Sequence, residues 1–226
     1  SPRVVAKLQE LLTADALTVY PEYSEVLPRL AQFFQVGEAE LAMTNGTDEA
    51  IQVLVNTFVE PGDDVIVLTP SYAMYRFYSE VAGAAIREVP YRAKTLQFPR
   101  EELLRAIRPE TKAIFISNPN NPTGTAAKRE VLEEVLDRAP GACVLVDEAY
   151  FEFCGITMLP YLNEYPNLFV SRTFSKVYGM AALRVGCLFS CEDNMRHIHK
   201  AHSPYSVNFL AAMAAKVAVE DSSFLE

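Results

Sequence analysis

Several signatures are missing from this 226-residue chain, and each absence removes a class of function. No apolar run approaches the roughly 20 residues that a bilayer-spanning helix needs. The opening residues do not carry the charged-then-apolar pattern of a secretory signal. Positive charge is short: 20 Lys and Arg stand against 29 Asp and Glu, a net charge of −9 spread along the chain. That balance argues against non-specific nucleic-acid binding and against an anionic membrane surface. The cysteines, Cys143, Cys154, Cys187 and Cys191, form no Cys-x-x-Cys pair, so free thiols in a reducing, cytoplasmic compartment are expected. No Gly-x-Gly-x-x-Gly follows a strand, which removes a nicotinamide dehydrogenase. His197, His199 and His202 crowd together, but none are spaced i, i+4 as helical metal ligands usually are. A solvated or interfacial helix is the expectation there, and no metal.

What is present is apolar and periodic. Half of the residues are hydrophobic, enough for a substantial core. Helices are expected over 2–12, 24–34 with Ser24 as cap, 47–58, 72–82, 100–107, 127–138, from Glu192 onward and over 208–220. Strands are expected over 65–68, 85–90, 112–117, 142–146, 168–172 and 184–190. Val65-Ile66-Val67-Leu68 is continuously apolar between turn residues, the pattern of a strand buried on both faces. Repeated strand–helix alternation implies a three-layer α/β fold, a mostly parallel sheet with helices on both faces.

Polar motifs stand at the ends of these strands, where open α/β sheets build ligand sites. Asn118-Pro119-Asn120-Asn121-Pro122-Thr123-Gly124 follows Ala113-Ile114-Phe115-Ile116. Val144-Leu145-Val146 runs into Asp147-Glu148-Ala149-Tyr150, and Leu168-Phe169-Val170 into Ser171-Arg172-Thr173-Phe174-Ser175-Lys176. Thr44-Asn45-Gly46-Thr47-Asp48-Glu49 opens an apolar helix. A lysine after a strand can hold a carbonyl cofactor as a Schiff base, while nearby hydroxyls and Arg184 grip a phosphate. The plainer alternative makes Ser175 a helix cap and Lys176 a solvated first-turn residue. Capping also competes for Asp147, Thr47 and Asp48, turn chemistry for Asn121, and core packing for Tyr72. Arg184 between Leu183 and Val185 calls for an anionic partner.

Taken together, Tyr20-Pro21-Glu22, the turn at 45–50, Asn121-Pro122-Thr123-Gly124, Asp147-Glu148-Ala149-Tyr150 and Thr173-Phe174-Ser175-Lys176 resemble the fold-type-I aminotransferases dependent on pyridoxal 5′-phosphate. The chain is most similar to the histidinol-phosphate aminotransferases in that group. The resemblance implies a seven-stranded sheet, and a cytoplasmic homodimer with shared active sites. It divides the chain into an N-terminal segment (1–19), a cofactor-binding large domain (20–205) and the start of a small C-terminal domain (206–226), the rest of which is missing. Ser222-Ser223-Phe224-Leu225-Glu226 reads as the beginning of a further helix.

The resemblance also implies roles. Lys176 would bind the cofactor covalently and then move a proton; Asp147 would pair with the ring nitrogen; Asn121 and Tyr150 would bond the ring hydroxyl oxygen. Gly46, Thr47, Asp48, Thr173, Ser175 and Arg184 would hold the phosphate, Tyr72 would stack on the ring, and Tyr20 would reach the neighbouring subunit's phosphate. Val177 departs from the family's usual small residue after the lysine. Amino transfer between histidinol phosphate and 2-oxoglutarate/glutamate, in histidine biosynthesis, is the implied reaction. An aromatic amino-acid aminotransferase, a phosphate-substrate decarboxylase and a non-catalytic pyridoxal-phosphate-binding protein remain alternatives. The alanine-rich helix over 208–220 is expected to show an apolar face with no partner in the chain.

Overall fold

The computed structural model describes residues 1–221 and 224. The helical start expected over 222–226 lies, apart from Phe224, outside the described residues. The strands are β1 (Leu41–Thr44), β2 (Asp64–Thr69), β3 (Ala85–Pro90), β4 (Thr111–Ser117), β5 (Cys143–Asp147), β6 (Leu168–Thr173) and β7 (Gly186–Ser190). The helices are α1 (Pro2–Leu11), α2 (Ala14–Thr18), α3 (Leu27–Phe34), α4 (Gly46–Phe58), α5 (Ala73–Val81), α6 (Arg100–Ala106), α7 (Arg129–Arg138), α8 (Glu192–Ala201) and α9 (Phe209–Glu220).

The strands form one seven-stranded sheet in the order β1-β7-β6-β5-β4-β2-β3. β3, β2, β4, β5 and β6 are parallel, and β7 runs antiparallel to both neighbours. Successive side chains of a strand point to opposite faces, and the sheet splits its apolar residues accordingly. Ile66, Ile114, Ile116, Val144, Val146 and Val170 join a core with residues of α1, α3, α6, α7 and α9. Val65, Val67, Ala113, Phe115, Leu145 and Phe169 join a second core with residues of α4, α5 and α8. Burial on both faces is why the central strands read as unbroken apolar runs.

Register sets the site. Ser117 lies beside Asp147, and Asp147 beside Ser171, so three parallel strands end level with one another. The chain reverses after β6 through a turn and a short 3-10 segment, Ala181–Leu183, and returns as β7.

Several expectations are corrected. β7 begins at Gly186 and not at 184, because Arg184 adopts the left-handed conformation at φ 57° and breaks the ladder. Ser24 caps no helix; α3 starts at Leu27 after Val26, with Pro28 in its first turn. The apolar face of α9 is covered. Ala211, Ala212, Ala214, Ala215 and Ala218 are buried in the core that holds Val4 of α1 with Leu30 and Ala31 of α3. Small side chains let these helices approach closely, which periodicity along one segment does not reveal.

Candidate active site

A cleft with about 560 Å³ of atom-free space, open on one side, lies at the C-terminal ends of β4, β5 and β6. Thr47, Asp48, Tyr72, Asn121, Asp147, Tyr150, Thr173, Ser175, Lys176 and Arg184 all line it. Ten of the twelve residues predicted for the site thus meet in one place. Gly46 stands at its edge, and Tyr20 does not enter it.

Asp147 ends β5 at the cleft floor, 3% exposed. Tyr75 Oη donates to its Oδ2 at 2.6 Å, and Ser171 Oγ to its Oδ1 at 2.8 Å. The Ala149 backbone N–H adds a bond to Oδ1 at 3.1 Å. Burial pushes this carboxyl above the usual range, against the donors that pull it down. A buried carboxylate of this kind favours a cation facing it from the cleft. The bond from Ala149 is local turn chemistry, but no α-helix follows, only a 3-10 turn at Phe151–Phe153, so helix capping does not account for Asp147.

Lys176 fares likewise. A turn, not a helix, directly follows Ser175, and the next helical residues are the 3-10 segment Ala181–Leu183, which overturns the capping alternative. The Ser175 backbone N–H instead donates to Thr173 Oγ1 at 3.1 Å, a hydroxyl turn that places Lys176 at the cleft. Lys176 Nζ lies 5.4 Å from the centre of the Tyr150 ring. In the proline-rich turn the asparagines divide their work. Asn118 bonds the Ala127 backbone and Asn120 bonds Pro70 and Thr123, whereas Asn121 lines the cleft.

The other end of the cleft is a cup at the start of α4. Gly46 opens the helix at φ +74°, so the first backbone N–H groups and the helix dipole point outward. A Cβ on Gly46 would stand 2.6 Å from Arg184 Nη2. On Gly186 it would meet Arg172 O at 2.8 Å and the Gly46–Thr47 backbone at 3.1 Å, so the β7 strand supports the cup from behind. Arg184 Nη2 pairs with Asp48 Oδ2 at 3.0 Å, and Tyr72 Oη donates to Asp48 Oδ1 at 2.7 Å. Burial and then the Asp48 bond push the Tyr72 hydroxyl up, so it stays a donor.

Sequence reasoning missed Ser117 in the lining, and Tyr75 and Ser171 beneath Asp147. Tyr75 follows Tyr72 by one helical turn, stacks on Phe115 at 5.4 Å and is fully buried, so in sequence it looks like any core aromatic. It also missed a buried brace beside the site. Arg172 Nε pairs with Glu148 Oε2 at 2.7 Å, and Glu148 accepts from Thr157 Oγ1 at 2.8 Å and from the Met158 N–H at 2.6 Å. The Arg172 guanidinium lies 3.6 Å from the centre of the Phe151 ring, so the loop bearing Tyr150 is fastened to β6.

Tyr20 is 73% exposed and sits against Tyr205, ring centres 4.6 Å apart, on a separate groove. His197 and His199 lie on α8, and His202 caps its end. Cys187 is buried and the other three cysteines are half-buried; all are free thiols. No described helix is long and apolar enough to cross a membrane.

Comparison with known proteins agrees with this geometry. The family model for aminotransferase class I and II matches residues 1–226. A histidinol-phosphate aminotransferase of Geobacillus thermodenitrificans is 37% identical over 218 residues, covering 93% of this chain and 59% of that protein. One from Dehalococcoides mccartyi is 40% identical over 200 residues, covering 88% and 55%. The chain therefore spans less than two thirds of the length of these relatives. A crystal structure of the Sinorhizobium meliloti histidinol-phosphate aminotransferase in complex with pyridoxal-5′-phosphate superposes with a TM-score of 0.92 at 24% identity, covering 100% of this chain and 62% of that one. That likeness establishes the fold. The chain belongs to the class I and II aminotransferases.

Proposed function

We propose that this member of the class I and II aminotransferases binds pyridoxal 5′-phosphate and transfers the amino group of histidinol phosphate to 2-oxoglutarate, with residues 20–205 as the cofactor-binding domain, 1–19 leading into it and 206–226 leading to a smaller one. The observation that carries the reading is one cleft with an amine at its mouth, a buried carboxylate at its floor and an anion cup at its end. The donor set fits a phosphorylated pyridine. Asp147 offers a carboxylate to the ring nitrogen, and its burial strengthens the interaction with a cation there. Asn121 and Tyr150 suit the ring hydroxyl. Gly46, Thr47, Asp48, Thr173, Ser175 and Arg184 supply N–H groups, hydroxyls and a fixed positive charge for the phosphate.

The cofactor, when bound, supplies an electron-withdrawing ring next to the reacting carbon. The protein's residues do the rest. Lys176 Nζ would hold the cofactor and would carry the proton to and from the substrate α-carbon. Asp147 would pair with the ring nitrogen and favour its protonated form. The Tyr72 ring, fixed through Asp48, would cover one face of the cofactor ring. Relatives named histidinol-phosphate aminotransferase at 37–40% identity support the substrate.

The same reading makes the protein a cytoplasmic homodimer, with Tyr20 completing the neighbour's phosphate site. Tyr20 is exposed and outside its own cleft, and the free thiols suit a reducing compartment. The experiment is amino transfer with histidinol phosphate, an aromatic amino acid and a phosphorylated amino acid in parallel, each with 2-oxoglutarate. Glutamate should form fastest from histidinol phosphate; carbon dioxide release, or preference for the aromatic donor, would overturn the substrate assignment.

A further inference from the structure

The turn that presents the cup is not capped in the usual way. Asn45 stands at the N-cap of α4, yet its side chain makes no capping bond. Its backbone N–H instead donates to Glu49 Oε2 at 2.5 Å. Glu49 belongs to the first turn of α4 but does not line the cleft. The same oxygen faces His202 Nε2 at 3.3 Å, and Ser206 Oγ stands 3.0 Å from that nitrogen. These side chains are largely buried, Glu49 at 17% and His202 at 11% exposure. Burial pushes the Glu49 carboxyl up, but hydrogen bonds from His202, Asn45 and Ser206 outweigh it and hold the group below the usual carboxylate range.

We infer that Glu49 is a positioning residue for phosphate: it fixes the Asn45–Asp48 turn from outside the cleft and is itself held by His202 and Ser206. The inference rests on the reading that this cup takes the cofactor's phosphate. The turn needs such a hold. Gly46 is left-handed, Asn45 contributes no side-chain cap, and backbone donors bind an anion well only when their directions are fixed beforehand. The turn rests against Arg184 and Gly186, and Glu49 holds it through the Asn45 N–H. His202 ends α8 and Ser206 lies on the connection to α9, so the brace also ties the cup to the segment leading away from the large domain.

Two effects of Glu49 oppose each other. Its oxygen orders the turn, which favours phosphate, while its charge repels phosphate. Glutamine keeps an acceptor and removes the charge; alanine removes both. The test uses apo-protein titrated with pyridoxal 5′-phosphate, with pyridoxal and with inorganic phosphate. Glu49→Ala should raise the Kd for pyridoxal phosphate and for inorganic phosphate about tenfold, while the Kd for pyridoxal, which has no phosphate, stays at the wild-type value. Glu49→Gln should bind as tightly as wild type or tighter, and Ser206→Ala should shift in the direction of Glu49→Ala. Unchanged phosphate affinity in Glu49→Ala, an equal loss for pyridoxal, or a Gln variant as weak as the Ala variant would each overturn the role. If Glu49→Ala does not fold by circular dichroism, His202→Ala carries the same comparison, and an unchanged phosphate Kd there overturns it. Wild-type protein that takes up neither pyridoxal compound contradicts the proposed function instead, and the inorganic phosphate arm still reads Glu49.

Discussion

Replacing Asp147 by asparagine should separate catalysis from stability in opposite directions. The substitution keeps the shape and leaves partners for the local bonds. An asparagine oxygen can still accept from Ser171 Oγ and the Ala149 N–H, and its amide can donate to Tyr75 Oη, which lies 2.6 Å from the present carboxylate. What is lost is charge. A unit charge facing a protonated ring nitrogen is worth about 4 kcal/mol at about 4 Å with an effective dielectric constant of about 20. At 1.36 kcal/mol per decade, turnover should fall about a thousandfold. Cofactor binding should suffer less, since the phosphate and Lys176 attachments remain. The apo-protein should behave differently. Burial raises the Asp147 pKa above its unfolded value, so its contribution to stability is fully present below the unfolded pKa and is lost as pH rises through the folded pKa. Above the unfolded pKa the buried acid group therefore costs stability that an asparagine does not. Apo Asp147→Asn should melt at or above the wild-type temperature at pH 7, and the advantage should shrink as pH falls toward 4. Steady-state kinetics and thermal melts at pH 4–8 measure both. Near-wild-type turnover, or a melting temperature well below wild type at pH 7, would refute the reasoning.

Arg172→Met should strand Glu148 as a buried charge; breaking such a pair costs about 3–5 kcal/mol, seen as a melting temperature lower by about 2–4 °C per kcal/mol. An unchanged melting temperature would show that Thr157 and Met158 suffice for Glu148. Gly186→Ala puts a methyl 2.8 Å from Arg172 O and 3.1 Å from the Gly46–Thr47 backbone, so the cup must shift. Affinity for inorganic phosphate should drop with the fold retained, read by calorimetry; wild-type affinity would show that β7 does not shape the cup.

The parts legible in sequence are those encoded locally. The central strands announce themselves as unbroken apolar runs, and the cleft residues Asp147, Asn121 and Lys176 sit in short polar motifs at strand ends, where local pattern alone points to them. What escaped depends on long-range register. β1 is four residues long and pairs, among the described residues, only with β7, so Leu41–Thr44 carries no pattern of its own. Ser171 reaches Asp147 because β5 and β6 align, and Tyr75 because α5 packs over Phe115. The Glu148–Arg172 brace joins the residue after β5 to β6 across 24 positions. The α9 error has the same origin: alanines look unpartnered until α1 and α3, from the far end of the chain, close over them.

The central claim is that the cleft residues act on pyridoxal 5′-phosphate held by Lys176. Reduction of the cofactor-loaded protein with borohydride, followed by peptide mapping, tests it most directly. One labelled peptide is predicted, with the adduct on Lys176, and Lys176→Ala should leave the protein unlabelled. An adduct on another lysine, such as Lys200, or labelling that survives in Lys176→Ala, would contradict the account.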